Sequence, residues 1–127
     1  MTGRLLIDTD ILVDYLRGNP AAVAFIESRS EDLLASVISV AELFAGVREG
    51  RERAALESFV AAFNVVPVDR EIAERGGIYR RDFLRSHRIG LADALVAATA
   101  DVMDADLATL NVKHFPMRPR LRPPYVK

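Results

Sequence analysis

The chain alternates between short apolar runs and longer stretches in which apolar residues recur at helical spacing. The short runs predict β-strands at Arg4–Ile7, Leu33–Val37, Asn64–Val68 and Leu107–Thr109. Leu121, which lies among prolines, is predicted as the centre of a last edge strand. The sheet is therefore expected to contain four to five strands.

Helical spacing dominates between these strands. Ile11, Leu12 and Leu16 belong to a first helix, and Gly18 and Pro20 separate it from a second. The remaining predicted helices cover residues 39–48, 51–63, 69–85 and 91–101, the third of them loosened at Gly76-Gly77. Alternating strands and helices favour an α/β fold with a mostly parallel sheet covered on both faces. Ligands bind such folds beyond the carboxyl ends of the strands.

Composition narrows the class of protein. The chain has 127 residues, half of them hydrophobic and 28% charged, which is typical of one folded domain spanning residues 1–127. It contains no cysteine, which excludes disulfide scaffolds, thiol nucleophiles and iron–sulfur sites. The longest uncharged run, Ser58–Val68, is far short of the roughly 20 apolar residues of a membrane span, and no signal-peptide core is found. We expect a cytoplasmic protein that does not enter the membrane.

Charge is distributed unevenly, although the net charge is only −1. Residues 70–88 contain six arginines and three acids, and residues 113–127 contain five basic residues and no acid. Such stretches suit a polyanion such as RNA, whose phosphates release counterions when they are neutralised. A solvated helix face followed by a basic tail would produce the same counts, so both interpretations stay open.

Three acids lie in unusual positions. Asp8 directly follows the most apolar strand, where it would either cap a helix or serve a site at the edge of the sheet. Ser39 and Glu42 match a capping box, although Glu42 is flanked by apolar residues. Asp93 is the only charge in residues 89–100, with no cation within a helical turn. Such a carboxylate is either protonated, hydrogen-bonded at a helix start, or compensated by a ligand.

Three converging carboxylates would repel one another unless a cation neutralised them. Without cysteine, and with His87 and His114 expected at the surface or on phosphates, the donors favour a hard ion such as Mg²⁺ or Mn²⁺. Such an ion activates water for attack on a phosphodiester. Acids beside arginine-rich segments therefore suggest a nuclease.

Four sequence blocks carry a resemblance to a known family. They are residues 5–12 (LLIDTDIL), 39–43 (SVAEL) with Gly46, 89–100 (IGLADALVAATA) and 108–115 (ATLNVKHF). In order and spacing they resemble the signature blocks of PIN-domain proteins, in particular the VapC-type toxins of bacterial toxin–antitoxin pairs. The resemblance implies a three-layer α/β/α domain, Mg²⁺- or Mn²⁺-dependent endoribonuclease activity, a homodimer, and inhibition by a cognate antitoxin.

The same resemblance assigns site residues. It implies that Asp8 and Asp93 bind metal, that Glu42 is a further ligand or positions water, and that Asn111 is the fourth catalytic position. Asn111 stands where other members carry Asp, and a neutral amide adds no charge. The remaining candidates are Thr9 and Asp10 in the outer shell of the metal, and Arg85 and Arg88 as RNA contacts.

Two other functions remain as alternatives. One is a PIN-like module that binds RNA or a partner without catalysis. The other is a phosphatase of the haloacid-dehalogenase type, with Asp8 as nucleophile and Asp10 as acid and base. A further open point is a set of apolar residues that would either receive an antitoxin helix or belong to the core: Leu12, Tyr15, Leu43, Phe44 and Val47.

Overall fold

A computed structural model describes residues 3–127. Its strands are β1 (Arg4–Ile7), β2 (Asp32–Ser36), β3 (Asn64–Val66) and β4 (Asp106–Ala108). Its α-helices are α1 (Thr9–Leu16), α2 (Pro20–Glu27), α3 (Val37–Ala45), α4 (Arg51–Ala62), α5 (Arg70–His87) and α6 (Leu91–Val102), and a 3-10 turn covers Val112–His114. None of the helices in this range is long and apolar enough to cross a membrane.

The strands form one parallel sheet in the order β3-β2-β1-β4. From β1, the chain adds β2 and then β3 on one side of the sheet. It then crosses back and adds β4 on the other side of β1. Leu6 consequently pairs with Leu34 of β2 and with Leu107 of β4. The order of strands reverses between β1 and β4, and in open α/β sheets this is where ligand sites form.

Helices cover both faces of the sheet, as the alternation of side chains along β1 requires. Leu6 packs on one face with Val96 of α6 and with Phe115. Leu5 and Ile7 pack on the other face, in a cluster with α1 and α2. The predicted three-layer α/β fold is confirmed, with four strands.

One expectation about the helices was wrong. Gly76 and Gly77 do not loosen α5, which continues through both of them. Gly76 is buried against α6, where an added Cβ would lie 2.7 Å from Leu95 Cδ2 and 3.2 Å from Leu95 Cα. The glycine therefore permits close packing of the two helices.

The expected edge strand at Leu121 is also wrong, because residues 116–127 form turns and irregular segments. Leu121 packs against the core, and Arg118 donates a hydrogen bond to the carbonyl of Ala105 at 3.2 Å. The neighbouring prolines lack the N–H groups that a strand would contribute to the sheet.

Candidate active site

Asp8 lies at the centre of the carboxyl edge of the sheet, between the ends of β1 and β4. Its backbone N–H donates to the carbonyl of Ala108 at 2.9 Å, which extends the pairing of these two strands by one residue. One carboxylate oxygen accepts from Thr9 N at 2.8 Å, and the other accepts from the Thr109 hydroxyl at 2.7 Å. Asp8 therefore caps α1 while its second carboxylate oxygen faces the neighbouring strand, and its role in a site at this edge stays a prediction.

The environment of Asp8 opposes its negative charge. Burial, together with the charges of Asp10 and Asp93, raises its pKa from 3.8 to about 7, although the hydrogen bonds from Thr109 and Thr9 act in the opposite direction. Only 5% of the residue is exposed. A buried carboxylate without a cationic partner is costly in water-free surroundings. The site would consequently gain from a positive ligand.

Asp10 links the start of α1 to the segment after β4. Its Oδ1 accepts from Ile11 N at 2.8 Å, and its Oδ2 accepts from Leu110 N at 2.9 Å. Burial raises its pKa against these hydrogen bonds. Both oxygens are thus engaged by the backbone, which suits a supporting residue and does not favour the acid–base role that a phosphatase would require.

Thr9 connects α1 to Glu42 of α3. Its hydroxyl donates to Glu42 Oε1 at 2.7 Å and lies 2.8 Å from the hydroxyl of Ser39. Glu42 itself is exposed. The hydroxyl of Thr9 therefore fixes the position of a carboxylate that belongs to another helix.

The capping box considered as one interpretation of Glu42 is not formed. Helix α3 begins at Val37, and its N-cap is Ser36, whose hydroxyl accepts from Ile38 N at 3.0 Å. Ser39 is therefore already inside the helix. Glu42 lies in the second turn, beyond reach of an N-cap role, and its side chain meets Thr9 instead.

Asp93 is the third residue of α6 and lies with the other acids. Burial and the negative charges of Glu42 and Asp10 raise the pKa of Asp93, whereas His114 lowers it. Its Oδ2 lies 3.2 Å from Nδ1 of His114. The structure thus brings the acid that follows β1 and those of α1, α3 and α6 into one electrostatic cluster.

His114 is the residue that sequence reasoning missed. The chain around Asp93 offers no cation, but His114 comes from 21 residues further along and reaches the carboxylate. It was expected at the surface or on phosphates, whereas the structure places it beside an acid of the site. The sequence feature that could have identified His114 is its position in the block that follows β4, three residues after Asn111.

Asn111 lies in the same segment as His114, but it forms fewer contacts with the rest of the site. Its backbone N–H donates to the Thr109 hydroxyl at 3.1 Å, and the residue is exposed. It precedes the 3-10 turn without capping it through its side chain. Its amide is free to reach solvent or a ligand at the carboxyl edge of the sheet, and its catalytic role stays a prediction.

Arg85 and Arg88 lie at the end of α5, just before the helix that carries Asp93. Both are exposed, and neither forms an ion pair with any other residue in the range 3–127. Arg88 ends the helix in the left-handed region at φ +50°, and the next residue, Ile89, is buried. The backbone of this corner is anchored while its two guanidinium groups face outward.

The donor set fits a hard divalent cation. It consists of carboxylate oxygens and one amide, which Mg²⁺ and Mn²⁺ prefer. Across residues 3–127, no group of three or more His, Asp or Glu side chains is arranged so that it could hold a metal ion. Mg²⁺ does not require such a group, since it keeps several waters and is commonly held by one or two carboxylates. The raised pKa values of Asp8 and Asp93 support the same fit.

Comparison with known proteins gives consistent matches. The sequence profile of the PIN domain matches residues 5–116. Ribonuclease VapC19 of Mycobacterium tuberculosis is 51% identical over 124 residues, which cover 94% of this chain and 98% of the relative. Ribonuclease VapC10 of the same organism is 48% identical over 124 residues, covering 95% and 92%.

A solved structure matches over nearly the whole fold. It is described as a toxin-antitoxin complex from Klebsiella pneumoniae. One of its chains superposes with a TM-score of 0.82 at 28% identity, covering 95% of this chain and 98% of that one.

Proposed function

This chain belongs to the PIN domain family, and we propose that it is the endoribonuclease toxin of a toxin–antitoxin pair. The observation that carries the proposal is the cluster of Asp8, Glu42 and Asp93 at the carboxyl edge of the sheet, in which burial and mutual repulsion raise the pKa of both aspartates. The ribonucleases VapC10 and VapC19 of Mycobacterium tuberculosis share about half of its residues. We assign residues 1–127 to one PIN-like nuclease domain acting in the cytoplasm.

Catalysis is proposed to depend on Mg²⁺ or Mn²⁺, held by Asp8, Asp93 and Glu42. When bound, the ion would neutralise the acids and activate water for attack on the phosphodiester. The protein's own part is positioning. Thr109 orients Asp8, Thr9 orients Glu42, and Asp10 holds the segment after β4 against α1.

The substrate is proposed to be RNA, bound in part by Arg85 and Arg88. Both guanidinium groups are exposed and unpaired within the part of the chain that the structure describes, so they are available for phosphates. They precede α6 directly, and Asp93 lies in the first turn of that helix. Positive charge at this corner would bring the RNA backbone to the acids.

The antitoxin is proposed to bind a groove of about 540 Å³ between α1, α3 and α4. Its apolar lining consists of Val13, Leu16, Leu43, Val47, Ala55 and Leu56, and Glu42 of the acid cluster also lines it. Five apolar residues were considered from the sequence. Leu12 is buried in the core and Tyr15 packs against it, whereas Leu43 packs against the core and also lines the groove. Val47 lines the groove, and Phe44 is half-buried and does not line it. An amphipathic segment here would cover Glu42.

The homodimer stays a prediction, which sedimentation of the purified protein tests.

The test is cleavage of total cellular RNA by the purified, antitoxin-free protein in Mg²⁺, in Mn²⁺ and in EDTA. Asp93→Asn should abolish the metal-dependent fragments. Asp104→Asn is the matched control, because Asp104 is exposed, lies outside the cluster and has a positive φ that Asn tolerates.

Each outcome of this test has a definite meaning. Metal-dependent fragments that the control retains and Asp93→Asn loses support the proposal. A folded protein that binds RNA but cleaves none in any metal overturns it in favour of the non-catalytic module. Cleavage that persists in Asp93→Asn overturns the assignment of the site.

A further inference from the structure

The segment that follows β4 contacts three acids of the site. Thr109 donates to Asp8, and Leu110 N donates to Asp10. His114 Nδ1 lies 3.2 Å from Asp93 Oδ2. The first two contacts hold the strand edge together, whereas the third has no part in the function argued so far.

The backbone of His114 is held on both sides. Its N–H donates to the carbonyl of Asn111 at 2.9 Å, which closes the 3-10 turn. The next residue, Phe115, is 1% exposed and belongs to the main core. A side chain on such an anchored turn presents its ring in a fixed place.

The contact is not explained by stability. The side chains of His114 and Asp93 are 44% and 32% exposed, and partly solvated pairs of this kind contribute little to folding. Nor does it suit direct coordination through Nδ1, because that atom faces a carboxylate. An ionised carboxylate only accepts hydrogen bonds, so we assign the proton to Nδ1, which can then donate to Asp93.

We propose that His114 is a positioning residue that holds the Asp93 carboxylate, through the Nδ1–H donor, in the orientation that binds the metal ion. The inference rests on the proposed function. Carboxylates that bind metals are commonly oriented by such outer hydrogen bonds, and their loss lowers metal affinity or activity by about 10- to 100-fold. His114 itself touches neither the ion nor the RNA in this assignment.

Three substitutions isolate the donor. His114→Asn retains an N–H at the place of Nδ1, because the amide of Asn extends to the same distance along the side chain. His114→Gln moves the amide to the reach of Nε2, and His114→Ala removes the donor. His87→Ala is the matched control, since the chain's other histidine is exposed and its ring contacts Ser86 and Phe83, away from the acids of the site.

Mn²⁺ affinity is measured first by electron paramagnetic resonance without RNA, and RNA cleavage is measured afterwards. His114→Ala and His114→Gln should bind Mn²⁺ about 10- to 100-fold more weakly and lose kcat in parallel. His114→Asn should stay close to the wild type in both, as should His87→Ala. Thermal unfolding in EDTA should be nearly the same for all four variants.

Wild-type Mn²⁺ affinity in His114→Ala overturns the inference, and so does an equal loss in His114→Asn and His114→Ala. Failure of the proposed function is distinct, because the wild-type protein itself would then cleave no RNA. The affinity measurement decides the role of His114 in either case.

Discussion

The carboxylates of this small molecule fall into two groups that differ in their partners. Asp8 represents the acids of the candidate site, which lie beside other acids, and Asp14 represents acids that are bound by donors. Asp8 and Asp14 are equally inaccessible, at 5% and 4% exposure, and are less than two helical turns apart. Asp14 accepts hydrogen bonds from Tyr125 at 2.8 Å and from Lys127 at 2.9 Å. Burial alone would raise its pKa, but these two partners outweigh burial and lower it, whereas the pKa of Asp8 rises.

The same contrast is found along α6. Asp93 near its start meets His114 and three acids, whereas Asp101 near its end is surrounded by donors. Arg118 binds Asp101 at 2.7 Å, Arg75 approaches to 3.6 Å, and the Tyr79 hydroxyl donates to it. Burial therefore does not identify a functional acid. The charges around the acid do, because a carboxylate paired with arginine or lysine is already neutralised, whereas one whose neighbours are other acids still attracts a cation.

The largest expected effect concerns activity. Asp8→Asn removes a proposed metal ligand and should lower RNA cleavage by about 1000-fold or more. Asp14→Asn, further along the helix that Asp8 caps, should leave the rate per folded molecule close to that of the wild type. Cleavage rates normalised to the folded fraction provide the measurement. Equal losses in the two variants would contradict the distinction between the groups.

The second prediction concerns stability. The change in the free energy of unfolding should have opposite signs in the Asp8 and Asp14 variants. In EDTA at pH 8, Asp8→Asn should raise the free energy of unfolding by about 2–4 kcal/mol, because it removes a buried charge without a cation. Asp14→Asn should lower it by about 1–3 kcal/mol, because it weakens the contacts with Tyr125 and Lys127. Urea unfolding of the two variants beside the wild type tests both signs.

The smallest expected effect is a dependence on pH. The pKa of Asp8 is about 7 in the folded protein and 3.8 as a model value, so the folded state binds more protons between these values. The contribution of Asp8 to stability should therefore fall as pH rises from about 4 to 7, by at most about 1.4 kcal/mol per pH unit. The lowered pKa of Asp14 acts oppositely, since its contribution is lost as pH falls below its ordinary range.

Metal-free unfolding of the wild type and Asp8→Asn at several pH values measures this slope. The difference in unfolding free energy between the two should widen toward pH 8. A constant difference from pH 5 to pH 8 would show that Asp8 titrates normally. Added Mg²⁺ should stabilise the wild type more at pH 8 than at pH 5, because its binding competes with the proton.

The sequence predicted the parallel sheet and most helix positions because short apolar runs and helical periods are local signals. It also predicted Asp8, Glu42 and Asp93 as one cluster, since each acid follows an apolar run without local cations. It did not predict the partners of Asp14 or the contact of His114 with Asp93. Those contacts join residues 111 and 21 positions apart, respectively, and arise only from tertiary folding.

The adjacency of β1 and β4 also governs when activity can appear during synthesis. Asp8 is made well before its donor, because the Thr109 hydroxyl that orients it follows 101 residues later. Until β4 has emerged and paired with β1, the acids lack this donor and the chain lacks a complete site. A ribosome-bound fragment that ends before β4 would thus be harmless to the RNA around it. Ribonuclease activity therefore has to wait until β4 has paired with β1.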